Sequence, residues 1–192
     1  MITVDVPVTP SATVTPGEPL EGPHGLMAIP DIPSGTNVPR NAPGRTQGEA
    51  RAMAGSLSPH WSPEIQRWGY LIVEGATKHG VDPDLVAAII HVESRGNPNA
   101  ISHSGAVGLM QVMAREYGYT SRPPRAELLD PATNIEWGLR ILGDGLAFFG
   151  GDVALALGEY YDGRANAMAR TQRTVGYAAL VLRHYEAAKG ER

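Results

Sequence analysis

Glu93 is the residue whose position in this chain most demands a chemical explanation. Val86, Ile89, Ile90 and Glu93 stand at i, i+3, i+4 and i+7, so a helix through them projects the carboxyl from the same face as three aliphatic side chains. Two forces on that face favour the neutral acid: desolvation beside Ile89 and Ile90, and the negative end of the helix dipole, because Glu93 falls in the last turn. Both raise its pKa. A carboxylic acid that stays protonated near neutral pH can give a proton to the leaving oxygen of a glycosidic bond. Geometry alone leaves open a glutamate paired with Arg95 or another cation at the helix end.

Other chemistries fail on residue supply. His91-Val92-Glu93 has the HxE look of a zinc deaminase, but that site also needs cysteine thiolates, and the chain has no cysteine. There is no HExxH, and the remaining histidines are scattered, so neither a metal nor a cofactor is expected. Ser102 and Ser104 beside His103 make no GxSxG elbow, and no phosphate-cradling glycine loop with its lysine precedes a helix. A net charge of −4, from 16 basic and 20 acidic side chains, offers no electrostatic footprint for nucleic acid or an anionic membrane.

The elements that must hold Glu93 are read from apolar spacing and from start and stop residues. Ser62-Pro63-Glu64 opens a first helix with Ile65, Trp68, Ile72 and Ala76 on one face, closed by Gly80. Asp82-Pro83-Asp84 opens the second, which carries Glu93 and ends before Gly96 and Asn97-Pro98. A third is expected over roughly Ala106 to Tyr117, stopped by Gly118 and followed by the loop SRPPR. Asp130-Pro131 begins a fourth, with Ile135, Leu139, Leu142 and Leu146 in one stripe. Asp152 caps a fifth ending at Gly163, and a sixth runs from about Thr171 to Lys189. Short strands are admissible only within residues 96 to 106. The fold class is mainly α.

The front of the chain is different. Nine of the 16 prolines fall within residues 1 to 43, while all 12 aromatics lie at or after Trp61. Residues 1–48 alternate β-branched residues with proline, favour extended backbone and have no large side chain to close a core. They read as a Pro-rich arm, either a tether or a segment laid along a protein partner. Residues 49–61 read as a connector and 62–192 as the domain. The amino end has no basic region or apolar stretch of a secretory signal, and no apolar run approaches the roughly 20 residues that span a bilayer.

Around Glu93 the chain reads HVESRGNPNAISHSGAVGLMQV. Glu93-Ser94, then Ser104-Gly105-Ala106, then Gly108-Leu109-Met110-Gln111 resemble in order and spacing the ES and GLMQ motifs of the soluble lytic transglycosylase family, relatives of goose-type lysozyme. The run from Asp130 to Ile135 with Gly138 resembles the family's DPxxNIxxG helix. Ala156 to Gly163 resembles its ALAAYNAG block, and Thr174 to Tyr177 its TxxY. The blocks cover about residues 70 to 186, and nothing in the arm matches. The resemblance implies a lysozyme-like helical domain in which Glu93 is the lone acid and base, Ser104, Gly108, Met110 and Gln111 line a sugar groove, and Tyr160 and Tyr177 flank the acid. Two positions depart from the pattern: Tyr161 stands where the family has asparagine, and Ile141 where it has an aromatic.

The resemblance further implies cleavage of the β-1,4 bond between N-acetylmuramic acid and N-acetylglucosamine in peptidoglycan strands, with a 1,6-anhydro product. Ordinary glycosidases use two carboxylates, ~5–5.5 Å apart when retaining and ~6.5–9.5 Å when inverting, whereas substrate-assisted enzymes need one. Asp130, Glu159 and Asp162 are the candidates for a second acid, with Glu159 foremost. If it faced Glu93, lysozyme-type hydrolysis would be the better reading. A non-catalytic lysozyme-like module is the rival of another class. The arm and the unmarked amino end suggest a virion-borne phage protein whose arm docks on tail or capsid proteins, with a released endolysin as the other possibility.

Overall fold

A computed structural model describes residues 57–190. The arm expected over 1–48, and the connector up to residue 56, lie outside the described residues. Eight helices and one small hairpin make up the remainder: α1 (Pro63–Gln66), α2 (Gly69–His79), α3 (Pro83–Ser94), β1 (Ala106–Val107), β2 (Val112–Met113), α4 (Arg125–Leu128), α5 (Pro131–Phe148), α6 (Val153–Asp162), α7 (Arg164–Met168) and α8 (Gln172–Gly190). A single 3-10 turn, Arg115–Tyr117, follows β2.

α3 is the axis of the body. Every residue from Pro83 to Ile90 is buried, and so is Glu93. Asp82 starts this helix by accepting from the Asp84 amide (3.0 Å), with Pro83 in the first position, where its missing N–H costs nothing. The same carboxylate accepts from the Tyr185 hydroxyl (2.9 Å), which ties the start of α3 to α8. α8 packs along α3 and α6, α5 packs on α6 and α2, and their aliphatic stripes fuse into one core. Asp130 and Asp152 cap α5 and α6 through the amides of Thr133 (2.8 Å) and Leu155 (3.0 Å). Ser58 and Trp61 are buried too: the Ser58 amide and Trp61 Nε1 both donate to Asp84 Oδ1, so packing begins ahead of residue 62.

Two expected helices come out differently. The first is broken at Arg67 and Trp68, whose side chains both donate to the Gly96 carbonyl (3.0 and 2.9 Å), so the break between α1 and α2 is tied to the exit of α3. The third is not a helix. Ala106 pairs with Met113 and Val107 with Val112 in an antiparallel hairpin, and Ile101 bridges to Val107. Gly108 (φ 81°) and Gln111 (φ 49°) take left-handed conformations that a helix cannot contain. All residues from Gly105 to Ala114 are buried, so their apolar pattern has no wet side from which a period could be read. The short helices α4 and α7 were not anticipated. None of the helices among the described residues is long and apolar enough to cross a membrane.

Candidate active site

Glu93 reaches the end of α3 with its side chain inside the protein, 7% exposed. Its Oε1 accepts a hydrogen bond from the Tyr177 hydroxyl (2.5 Å), and its buried Oε2 has no hydrogen-bond partner. Burial pushes the carboxyl up from 4.5 to about 8, and the bond from Tyr177 works in the opposite direction. Desolvation wins because one hydrogen bond replaces only part of the hydration that a carboxylate loses. The group is thus a neutral acid at pH 7 with one oxygen unpaired among the described residues. Arg95, the alternative partner, is an exposed left-handed residue (φ 53°) that ends the helix, and Tyr177 rather than Arg95 bonds the acid.

Tyr177 is held in turn. Its ring is fully buried in α8 and lies nearly parallel to that of Tyr161 on α6, with centroids 4.6 Å apart and 13° between planes. The residue that departs from the family's asparagine is therefore the platform behind the acid's hydrogen-bond donor. Tyr160, its neighbour, donates its hydroxyl to the Met110 carbonyl (2.6 Å). Burial and the nearby Glu93 charge push the Tyr160 phenol well above its usual range, so it is a permanent donor there.

The hairpin turn is held largely by side chains, beside two backbone bonds from the Gly108 and Gln111 amides to the Ala100 and Gly108 carbonyls. Three successive carbonyls, those of Gly108, Leu109 and Met110, accept respectively from Gln111 Nε2 (3.0 Å), Ser94 Oγ (2.7 Å) and Tyr160. Asn134 on α5 completes the set: its Oδ1 accepts from the Met110 amide (2.7 Å), and its Nδ2 donates to the carbonyls of Val107 and Leu128 (2.8 Å each). Gly108 is required here, since a Cβ would collide with the Asn134 amide.

Of the residues expected to line a groove, Met110 has its side chain wholly buried over Gly138, where it packs rather than lines. Gln111 is also buried, and its amide is spent on the Ala100 and Gly108 carbonyls. Ser104 is half-buried, 3.1 Å from the Ser102 hydroxyl, which itself accepts from the Ala106 amide (2.9 Å). Ser94, Ser102 and Asn134 were missed as positioning residues. The signal for Asn134 was present: Asn134 and Gly138 stand at i and i+4 on one helix face, and an interior helical glycine disfavoured by ~1 kcal/mol against alanine asks for a close neighbour.

The candidate second acids have partners of their own, although the buried Oε2 of Glu159, like that of Glu93, has no hydrogen-bond partner among the described residues. Glu159 Oε1 is held by Arg164 (2.7 and 2.9 Å), and its Oε2 lies by Gly145. Asp162 pairs loosely with Arg173 (3.7 Å), and Asp130 caps α5. His91 packs against His184 with ring centroids 4.4 Å apart, and burial pushes both imidazoles down toward the neutral form. Among the described residues no three His, Cys, Asp or Glu side chains converge as metal ligands.

A model of the transglycosylase SLT domain matches residues 70–179, more than half the chain. The chain belongs to the transglycosylase SLT domain family. This SLT domain is 38% identical over 98 residues to the endo-type membrane-bound lytic murein transglycosylase A of Salmonella paratyphi B (strain ATCC BAA-1250 / SPB7), and equally to that of Salmonella enteritidis PT4 (strain P125109). The match covers 44% of this chain and 48% of each relative, so the chain spans about half the length of the curated relatives it matches. An inactive mutant of lytic transglycosylase Slt from Pseudomonas aeruginosa shares the fold, with TM-score 0.57 and 24% identity over 67% of this chain and 24% of that one. The mainly α, lysozyme-like architecture expected from the sequence is the SLT fold.

Proposed function

We propose that this SLT domain is a peptidoglycan lytic transglycosylase. The observation that carries the reading is the Glu93 carboxyl: buried, protonated at neutral pH, and hydrogen-bonded among the described residues through Oε1 alone. Glu93 gives its proton to the bridging oxygen of the MurNAc–GlcNAc β-1,4 bond as the C1–O bond breaks. The substrate's acetamido oxygen closes on C1 from the opposite face and holds the positive charge. The Glu93 carboxylate then takes the proton of the C6 hydroxyl, O6 attacks C1, and the acetamido group is released. The product is a 1,6-anhydro end, and the acid is restored. The Tyr177 bond stabilises the carboxylate between the two steps, which a purely apolar pocket would penalise.

The engagement of Glu159 by Arg164 favours this route over inverting hydrolysis, which needs a base that activates water. Mass spectrometry of muropeptides released from sacculi by wild type and Glu93→Gln tests all three readings. Anhydro ends lost in the variant support transglycosylation, reducing ends support a lysozyme-type hydrolase, and no release by wild type supports a non-catalytic module. The Pro-rich composition of residues 1–48 supports a further part of the reading, an arm that docks on virion or tail proteins and delivers the domain to the cell wall. Detection in purified phage particles supports it; absence from them favours a released endolysin.

A further inference from the structure

The one hydrogen-bond donor to the acid is a phenol at the tip of a ring, and that ring has to be held. The Tyr177 hydroxyl lies at the far end of its side chain from the torsions that move it, so a small tilt at Cβ carries it out of bonding reach of Glu93 Oε1. Rotamer preference alone does not fix such a ring, because its second torsion is broad and two-fold. α8 supplies the ring, and α6 supplies what lies against it.

The two helices approach closely where a side chain is missing. A Cβ on Gly158 of α6 would stand 3.1 Å from the Thr174 Cβ on α8. Three residues on from each, about one turn further along both helices, stand Tyr161 and Tyr177 with their rings stacked, 4.6 Å between centroids and 13° between planes. The other ring contacts among the described residues are tilted or edge-on. A near-parallel stack supports its partner across a whole face, whereas an edge contact leaves it a pivot. Tyr161 is buried, and the helix that carries its partner also fastens it. Arg173, one turn ahead of Tyr177 on α8, has its guanidinium 5.7 Å from the centroid of the Tyr161 ring and pairs loosely with Asp162, the next residue on α6 (3.7 Å). Tyr160 has a different task, donating its hydroxyl to the Met110 carbonyl (2.6 Å).

We infer that Tyr161 is a positioning residue of the reaction: its ring, stacked on Tyr177, keeps the phenol aimed at Glu93 Oε1 and so sets how well the carboxylate is stabilised between proton donation and proton return. This rests on the transglycosylase reading and adds to it a residue that acts through another. The family pattern has asparagine at this position, so the stack belongs to this chain rather than to the fold.

The test is a double-mutant cycle on the full chain: wild type, Tyr161→Leu, Tyr177→Phe and the double variant, with Tyr161→Phe as the conservative control. Leucine keeps the site apolar and removes the flat face. Tyr161→Leu lowers kcat for glycan release by about three- to tenfold, the worth of one aromatic pair, with KM within about twofold. It also moves the alkaline limb of the pH–rate profile upward by about half a unit, the direction of a weakened bond to the carboxylate. Tyr161→Phe keeps the ring and recovers most of both effects. In the Tyr177→Phe background there is no hydroxyl to aim, so adding Tyr161→Leu changes neither kcat nor the limb. A limb that stays in place or moves downward, or equal losses in the two backgrounds, overturns the proposal and leaves Tyr161 as core packing that affects stability alone. Should Tyr161→Leu not fold, Tyr161→Met, flexible and close to leucine in size, gives the same readings. If wild type releases nothing, the transglycosylase reading fails, and a carbon-13 NMR titration of the Glu93 carboxyl in the same proteins decides the positioning role separately. An upward shift in Tyr161→Leu that vanishes in the Tyr177→Phe background supports it; an absent shift, or one equal in both backgrounds, overturns it.

Discussion

Replacing Glu93 with glutamine keeps the shape of the side chain and removes its titration, so it isolates the cost of a buried acid. In the unfolded chain the carboxyl loses its proton near 4.5, and in the folded chain near 8. Over that window the folded state holds a proton that the unfolded state has released, so unfolding becomes easier as pH rises. The stability contributed by the protonated group is complete below 4.5 and is lost as pH passes 8. The loss amounts to about 5 kcal/mol across the whole interval; by pH 7 it is on the order of 3 kcal/mol, and at pH 5 still below ~1 kcal/mol. Glutamine has no such dependence. Its own amide, buried with one unpaired group, adds an offset that is the same at every pH. The stability of Glu93→Gln minus that of wild type should therefore grow by about 2–3 kcal/mol between pH 5 and pH 7, or roughly 10 °C in melting temperature for a domain of this size. Urea unfolding of both proteins at pH 5, 7 and 8 and fixed ionic strength measures it. A difference that stays constant within about 0.5 kcal/mol would show an ordinary solvated carboxyl and remove the physical basis of the acid.

Two further outcomes follow from the contacts around the acid. Tyr177→Phe deletes the one bond that favours the Glu93 carboxylate, so the alkaline limb of the pH–rate profile for glycan release, set near 8 by the protonated acid, moves upward by about one unit; a downward move would mean that water replaces the hydroxyl. Asn134→Ala removes one accepted and two donated buried hydrogen bonds and destabilises the domain by about 3–5 kcal/mol in urea unfolding, whereas a loss below ~1 kcal/mol would show that the turn does not depend on it.

The parts of the fold that the chain spells out locally are those governed by one helix turn. Asp82, Asp130 and Asp152 each accept from their own helix's first amides, and the face Val86, Ile89, Ile90, Glu93 is buried as its spacing requires. The hairpin was illegible because its residues are buried on every side and because its turn is held from a distance. Ser94 lies 15 positions from the carbonyl it binds, Asn134 lies 24 from the amide, and Tyr160 lies 50 from its acceptor. A single polar residue in a helix reads equally well as a solvent-facing one, and only the fold tells the two apart.

That illegible turn explains why so much polar chemistry surrounds one apolar acid. A buried hairpin leaves carbonyls and amides that must be paired. Had water paired them, Glu93 would sit beside a hydrated loop, and its carboxyl would ionise in the ordinary carboxylate range. Pairing them with Ser94, Gln111, Asn134 and Tyr160 satisfies the wall without water and fixes it in one conformation. Substitutions at these four residues should thus act on the acid's titration as well as on stability, even where no atom of theirs touches Glu93. A variant of Ser94 or Asn134 that unfolds more easily but leaves the Glu93 pKa near 8 would separate the two roles and show that the acid's environment is made by α3 and α8 alone.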